Sequence, residues 1–559
     1  MDGKMLLWLR QYHRALLAGD ITAGIVVAMM MIPQSMAYAL VAGLPPVVGL
    51  YASILPPLLY ALFGSSMTQS VGPMAIVSLM TAAALAPLAA PGTALYALLA
   101  AQLALISAVI LLLCGALRLG FLANFLSRPV LSGFSNGAAI LIALGQMPAL
   151  LGAAPPQLHG PSAMLGLGSL FALWLARRYL VKLLRRMSCT ALVAELGARL
   201  APMLVVVAGT VLVAALSLSA SGVRTTGHVA VGLPHLALAF SHQHWRPLLS
   251  PALSIAFIIF LMGMSAAQTL ALKRNETLRT NRELIGLGAA NLASAVSGSF
   301  PVTGSLSRSA VNFSAGANTP LASIITAALL ALALVAPTGW LALLPLPVLA
   351  ATIIFAVLGM LDFDTLKTTW HYDRSDALAL LATMAGILVL GIEAGVVGGV
   401  LLSMGTLIWR ASRPQVAVLG RIKGSEHYRN VLRYEAETLP DILLLRIDAG
   451  LFFGNVDAVK DRIEHALRQQ PHTQHLVLVL SAVNQIDSTA MLVLAQLNRT
   501  LALRHVTMHL AEVKGAVLDR LRGSDLLEQL SGCLYLSTAL ACADLGKDAM
   551  PGGGGAPVD

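Results

Sequence analysis

Between residues 21 and 413 the chain carries about fourteen apolar segments and little charge, and beyond Arg413 charges become dense. No other feature limits the possible folds so strongly. An apolar run of about 18 residues can cross a bilayer, and a chain made of such runs must satisfy its backbone inside helices or a closed barrel. The segments lie near 22–43, 47–63, 70–87, 93–115, 121–146, 162–181, 201–219, 250–272, 284–299, 304–314, 320–337, 341–358, 376–391 and 393–410. Several are too short for a full crossing or are interrupted by Pro and Gly. With 57% hydrophobic and 11% charged residues and a mean hydropathy of +0.79, the expectation is a polytopic α-helical membrane protein. No cleavable signal is evident; residues 1–20 are amphipathic and the first apolar run is long enough to span.

The loops orient the chain. With the N-terminus inside, alternate loops hold Arg118 and Arg128, then Arg177, Arg178, Lys182, Arg185, Arg186 and Arg199, then Lys273, Arg274, Arg279 and Arg282, then Lys367 and Arg374. The opposite loops hold Arg224 and Arg246. That asymmetry puts both termini in the cytoplasm. It also accounts for much of the net charge of +10, so no nucleic-acid partner is expected.

Residues 297–313, SGSFPVTGSLSRSAVNF, read poorly as an ordinary span. They are rich in Ser, Thr and Gly, contain Pro301, and hold one cation, Arg308. A charge at bilayer depth costs at least about 2.5–3.5 kcal/mol unless it faces a wet or paired cavity. A helix starting after 301–304 points free N–H groups and a positive dipole end at that cavity, with Arg308 one turn inside. These features describe an anion site. An Arg snorkelling to the interface is the plainer alternative.

The two odd segments, opening with SVGP at 70–73 and PVTGS at 301–305, are third and tenth. They hold the same place in two blocks of seven, and an odd block length makes the repeats inverted. Matched interrupted helices point to a midplane substrate site, although Gly-Pro can also simply kink a packing helix. The first segment is expected to break at Pro33, with Gln34 and Tyr38 sharing a face, open to a solute or to interhelical bonding.

Elsewhere the chemistry is bland. His228, His235, His242 and His244 in an external loop read as solvated, and Asp362, Asp364, Asp373 and Asp376 as solvated charge. Cys114, Cys189, Cys533 and Cys542 have no metal or disulfide spacing. No metal, no cofactor and no enzymatic centre is expected. After Arg413, short β-rich runs at 442–447 and 475–480, a strand at 506–513, and helices at 455–469 (Asn455 as N-cap), 487–504 and 516–530 predict a small mixed or parallel α/β domain. The tail PGGGGAPVD is linker-like.

The runs IPQSMAYALVAGLPPVVGLYASILPPLLYALFGSS, SVGPMAIVSLM and NRELIGLGAANLASAVSGSFPVTGSLSRSAVNFSAG resemble the SulP family of sulfate permeases, whose animal relatives include prestin and pendrin. LFFGNVDAVKDRIEHAL and the loop Asp487-Ser488-Thr489-Ala490 resemble a STAS domain (sulfate transporter and anti-sigma-factor antagonist). The resemblance implies fourteen transmembrane segments as a 7+7 inverted repeat with core and gate domains, a homodimer, and a cytoplasmic STAS domain open to a regulator. It divides the chain into a cytoplasmic segment (1–20), a transmembrane anion-transport domain (21–413), the STAS domain (414–545) and a flexible tail (546–559). It implies an anion between the third and tenth helix ends, with Ser307 and Arg308 on the tenth, backbone N–H groups of Met74 and Ala75 on the third, and Gln34 and Tyr38 on the first. It also implies that Ser488 or Thr489 matches a phosphorylated loop, although the same residues can serve as a helix cap.

One position departs from the pattern. Sulfate–proton symporters of the family carry a Glu in the eighth helix, where counting back from Asn281 puts Met262. Inward movement of a divalent anion is uphill by roughly 4.6 kcal/mol per 100 mV of negative interior. Without that carboxylate, exchange or uncoupled passage gains ground. Glu393, the other acid of the apolar region, reads as a packing residue at the start of the last segment. The expectation is a secondary active anion transporter of the plasma or inner membrane, sulfate first among substrates. The alternatives are an exchanger or channel-like conduit for bicarbonate, chloride or dicarboxylates, or a scaffold that only positions the STAS domain.

Overall fold

The computed structural model describes residues 8, 12–121, 128–152, 159–186, 194, 197, 200–227, 232–234, 236, 241, 243–335 and 341–548. Two compact units separate, Met1–Ser403 and Met404–Asp559.

The first unit is helical, with helix on each of the fourteen apolar segments. Among the described residues 7 helices are long and apolar enough to cross a membrane, and Ala75–Leu85, Ala201–Ala215, Leu321–Val335 and Val397–Ala411 are shorter apolar helices. The elements that build the site are α1 (Leu17–Val41), α2 (Leu55–Phe63), β1 (Val71–Gly72), α3 (Ala75–Leu85), α4 (Ala94–Ala116), α5 (Trp245–Arg274), α6 (Thr280–Val296), β2 (Thr303–Gly304), α7 (Leu306–Ser314) and α8 (Leu321–Val335). Small residues let their backbones approach, as lipid-solvated helix packing requires. A Cβ on Gly286 of α6 would lie 2.5 Å from the Cα of Gly64, just past α2. Gly288 of α6 is likewise closed by Leu112 of α4, and Gly24 of α1 by Ile325 of α8.

The packing partners follow a rule. α1 packs on α8 and α4 on α5; α3 packs on α5 and α7 on α1. The Arg128–Gly145 helix packs on Arg374–Leu390, and Gly160–Leu175 on Leu346–Leu358. Exchanging each segment for the one seven places away turns the α1–α8 contact into α5–α4, the α3–α5 contact into α7–α1, and the contact of Arg128–Gly145 with Arg374–Leu390 into that of Leu346–Leu358 with Gly160–Leu175.

Three expectations need correction here. Pro33 does not break the first segment: α1 continues through it. A proline removes one donor and crowds one carbonyl, and a helix held by packed neighbours absorbs that loss. The segment 47–63 is two helices, Pro46–Tyr51 and Leu55–Phe63, because Pro56 and Pro57 favour a fresh helix start. Asp362 and Asp373 are more than solvated charge. Asp362 accepts from Thr365 N–H at 3.0 Å and Ser132 Oγ at 3.1 Å, and Asp373 from Ser375 N–H at 2.9 Å, each capping a helix. His228, His235, His242, Cys189, the Glu393 side chain and the end of the tail from 549 lie outside what is described.

The second unit is a six-stranded sheet of β3 (Val416–Arg421), β4 (Tyr428–Asn430), β5 (Ile442–Ile447), β6 (His475–Val479), β7 (Thr507–Ala511) and β8 (Leu534–Tyr535), ordered β4-β3-β5-β6-β7-β8. β3 is antiparallel to both neighbours and β5 to β8 are parallel. Helices α9 (Val456–Gln469), α10 (Ser488–Leu503), α11 (Gly515–Leu521), α12 (Asp525–Glu528) and α13 (Thr538–Asp548) accompany it. Leu443, Leu445, Leu476 and Leu478 bury one face against α9 and α10, and Leu444, Val477 and Val479 bury the other against α13. Two covered faces explain why the central strands read as continuous apolar runs. The helix expected at 516–530 is split, since Gly523 adopts φ +79° between α11 and α12. Asn455 stands at the N-cap position of α9 without capping it; its Oδ1 accepts from Phe452 N–H at 3.0 Å and its Nδ2 donates to the Gly450 carbonyl at 2.9 Å.

Candidate functional site

The third and tenth segments meet as an antiparallel strand pair, Val71 opposite Gly304 and Gly72 opposite Thr303. Each chain then leaves its strand into a helix: β1 runs through Pro73 and Met74 into α3, and β2 runs through Ser305 into α7. Because the strands run oppositely, the two helices depart in opposite senses, and both N-terminal turns open beside the pair. Around it the polar groups are tied down. Ser305 N–H donates to the Ser70 carbonyl at 3.1 Å, and Ser70 N–H to Ser309 Oγ at 2.9 Å. Asn291 of α6 clamps Val302 through two bonds of 2.9 Å, and Thr303 Oγ1 donates to the Ile259 carbonyl at 2.8 Å. The first-turn N–H groups of Ala75, Ile76, Leu306 and Ser307 have no acceptor within their own helices.

Two glycines make the crossing possible. A Cβ on Gly72 would meet Met31 Cε at 2.8 Å and Arg308 Nη2 at 3.4 Å, and one on Gly304 would fall 1.6 Å from Gln69 Nε2. Any larger residue there drives the strands apart or ejects a neighbour.

Arg308 reaches from α7 across to the end of β1. Its side chain is 1% exposed, and Nη1 donates to the Pro73 carbonyl at 2.5 Å. Its Nε and Nη2 are buried and have no hydrogen-bond partner among the described residues. Those two nitrogens form one edge of the guanidinium, the edge that presents two parallel N–H bonds to an oxyanion. Buried donors without acceptors are costly and rare. Here two such donors lie side by side on one buried guanidinium.

The other expected contacts are placed unevenly. Gln34 Nε2 donates to the Tyr38 hydroxyl at 2.9 Å, while Gln34 Oε1 is buried and unpartnered. Tyr38 is buried and interacts electrostatically with Arg308. Met74 and Ala75 are buried at the start of α3. Ser307 is exposed, with its hydroxyl 3.2 Å from that of Ser305, the residue that caps α7. Met262 is half-buried on α5, packed against the core, and the next carbonyl, Gly263, accepts from Gln69 Nε2 at 3.0 Å.

Three polar residues escaped the sequence reading. Ser78 on α3 has a buried, unpartnered hydroxyl. Asp20 and Glu283 are fully buried acids. Ser78 sits in an apolar stretch where one polar residue carries no periodic signal, and the two acids lie at segment ends beside polar sequence. In the second unit, Asp487 caps α10: Oδ1 accepts from Ala490 N–H at 2.8 Å and Oδ2 from Phe453 N–H at 2.8 Å. Ser488 and Thr489 follow it, exposed and spared the capping role. Among the described residues no group of three or more His, Cys, Asp or Glu is placed to hold a metal.

Residues 17–383 match the model of the sulfate permease family, and residues 433–541 that of the STAS domain. The chain belongs to the sulfate permease family. This permease is 37% identical over 529 residues to a probable sulfate transporter of Mycobacterium tuberculosis, covering 93% of this chain and 94% of the relative. It is 33% identical over 530 residues to the chloroplastic sulfate transporter 4.1 of Arabidopsis thaliana, covering 90% and 76% of the two chains. Its fold matches the solved structure of SLC26A9 with a TM-score of 0.87 at 21% identity, over 98% of this chain and 93% of the other. The family is one of multi-pass membrane anion transporters and not of enzymes, so the permease is an anion transporter with a C-terminal STAS domain.

Proposed function

We propose that this permease is a secondary transporter of small oxyanions, sulfate first, working by alternating access. The anion lies between the N-terminal turns of α3 and α7. The observation that carries this reading is the free Nε/Nη2 edge of buried Arg308. On this reading, backbone donors at Met74, Ala75 and Ser307 complete the site, and Gln34 and Tyr38 line its wall. The exchange rule among packing partners supports a 7+7 inverted repeat of fourteen segments. With the loop charges it supports a transmembrane domain at 21–413, both termini in the cytoplasm and a plasma- or inner-membrane location. A STAS domain at 414–545, a tail from 546 and a homodimer complete the assembly. Exposed Ser488 and Thr489 at the start of α10 suit phosphorylation or a cytoplasmic partner, since a helix N-terminus favours added negative charge.

The acid-free α5, which carries Met262, favours a second reading: exchange or uncoupled passage of bicarbonate, chloride or dicarboxylates. Uptake by reconstituted protein from a panel of labelled anions, with and without pH and sodium gradients, separates the two. Gradient-driven sulfate accumulation supports the first, and one-for-one exchange or single-channel currents support the second. No uptake of any small anion refutes both.

A further inference from the structure

Glu283 is the buried acid that an Arg308 anion site leaves unused. It lies in the first turn of α6 and is fully buried. Its Oε2 accepts from Ser65, from Oγ at 2.6 Å and from N–H at 3.2 Å. Its Oε1 is 2.5 Å from the Tyr60 hydroxyl of α2, and that same hydroxyl is 2.7 Å from Gln69 Oε1. The Gln69 amide is held in this orientation, because its Nε2 donates at 3.0 Å to the Gly263 carbonyl, which can only accept. Tyr60 therefore stands between two acceptor oxygens with one hydrogen. With Glu283 ionised, one of those two contacts contains no hydrogen at all. With Glu283 protonated both are filled: the carboxyl donates to the Tyr60 oxygen, and Tyr60 donates to Gln69.

We propose that Glu283 is a proton-binding site, and that its proton, drawn from and returned to water, is gained and lost as the anion site fills and empties. The second half of this rests on the reading of Arg308 as the anion site. Gln69 makes the connection. Its side chain packs directly on Gly304 of β2, and it precedes Ser70, whose N–H and carbonyl hold Ser309 and Ser305 at the start of α7. Loss of the Glu283 proton frustrates the Tyr60–Gln69 contact, and relief of that contact moves a side chain wedged against the strand pair. Among the described residues, Tyr60 of α2 touches Glu283, and Cys114 lies half-buried on α4, which packs on α6. Arg282, beside it, donates from Nε to the Phe63 carbonyl at 3.3 Å, and Arg279 lies just ahead of α6. α5 presents Gly263 and Met262, neither of them charged.

Infrared difference spectra of full-length protein in nanodiscs, wild type minus Glu283→Gln, read the proton without reference to transport. Gln donates to Tyr60 as the protonated acid does, so this variant keeps the pocket. The carbonyl stretch of a protonated carboxylic acid is expected in wild type at pH 7 and lost in Glu283→Gln. Tyr60→Phe, which removes the acceptor, is expected to shift that band to higher frequency. In proteoliposomes, an inward proton gradient is expected to accelerate labelled-sulfate uptake by wild type, and in Glu283→Gln the stimulation falls to unity. No protonated-acid band in wild type, or one unmoved by both substitutions, overturns the proton site. An unchanged gradient effect in Glu283→Gln overturns its link to the anion. If wild type moves no sulfate under any gradient, the link to the anion falls together with the transport reading, while the infrared band still decides the proton.

Discussion

Arg308→Lys keeps the charge of the proposed site and removes its fork. The guanidinium already commits Nη1 to Pro73, leaving Nε and Nη2 for a ligand. A hydrogen bond to a charged group contributes about 1.5–3 kcal/mol net, so a bidentate pair contributes about 3–6 kcal/mol. An ammonium in the same pocket can hold one ligand oxygen, so half is lost, about ten- to a hundred-fold in Kd. Arg308→Ala loses both, about two to four orders of magnitude, and saturable uptake disappears. The empty protein behaves differently. Arg308→Ala gives up the single Nη1–Pro73 bond and relieves two buried unpaired donors, so it is expected to melt within a few degrees of wild type in the absence of anion. Ligand-dependent melting tests both halves. Saturating sulfate at about 100 times Kd stabilises wild type by about 2.7 kcal/mol, and is expected to leave Arg308→Ala unmoved. Wild-type half-saturation in either variant refutes the site. A collapse of the anion-free melting temperature in Arg308→Ala would instead make Arg308 a structural strut.

Gly304→Ala forces a Cβ onto Gln69 Nε2 at 1.6 Å and is expected to abolish uptake and lower the yield of folded protein, whereas Gly72→Ala, limited by the flexible tip of Met31 at 2.8 Å, is expected to fold and bind more weakly; the readouts are monodispersity on size exclusion and uptake. Asp20 accepts from the N–H groups of Asn318 and Thr319 at 2.7 and 3.0 Å and from Thr319 Oγ1 at 2.7 Å, so Asp20→Asn turns an amide donor toward these donors and is expected to lower stability by about 1–3 kcal/mol, seen as a lower melting temperature in detergent. In the STAS domain, His509 Nδ1 accepts from Cys533 N–H at 3.0 Å, so its proton sits on Nε2 and donates to His475 Nδ1 at 3.2 Å. Burial and the His475 neighbour push its pKa down from 6.5 to about 4. The folded state resists protonation, so stability is full above 6.5 and falls as pH drops toward 4, by at most about 3 kcal/mol after screening. Hydrogen exchange on β6 and β7 of the full chain, corrected for intrinsic rates, is expected to show this loss, and His509→Gln to remove it.

What could be read without coordinates depended on pattern length. The fourteen apolar runs are long enough to show as runs even where they are too short to cross a bilayer, and each carries helix. The strand pair was invisible as strand, since two residues on each side are too few for any period. Its position still showed, because Gly-Pro in the third run and Pro-x-x-Gly in the tenth interrupt otherwise helical sequence. Arg308 stood out because an isolated cation in lipid is expensive. Asp20 and Glu283 did not, although burial of each is equally demanding, because both lie near segment ends where acids pass for loop charge. In the second domain the buried strands β5, β6 and β7 were legible; β3, half-buried beside the domain boundary, and the short edge strands β4 and β8 were not.

The strand pair also explains why so few residues suffice for the site. Half-helices joined only by side-chain packing can slide, and their dipoles then point past one another. Two backbone ladders, Val71 with Gly304 and Gly72 with Thr303, fix the helix ends in register at the one place where each chain has no helical hydrogen bonds of its own. Arg308 then adds a third tie across the same gap, from the second half-helix to the carbonyl of Pro73. Since Pro73 has no N–H, the chain there presents only an acceptor, and the guanidinium is oriented by the contact it does make. The free edge is thus aimed by the backbone and held by a buried bond. At the proposed site an anion would meet donors already in place, so little reorganisation would oppose its binding. A side chain wedged against the pair, as Gln69 is against Gly304, is placed to shift both helix ends together.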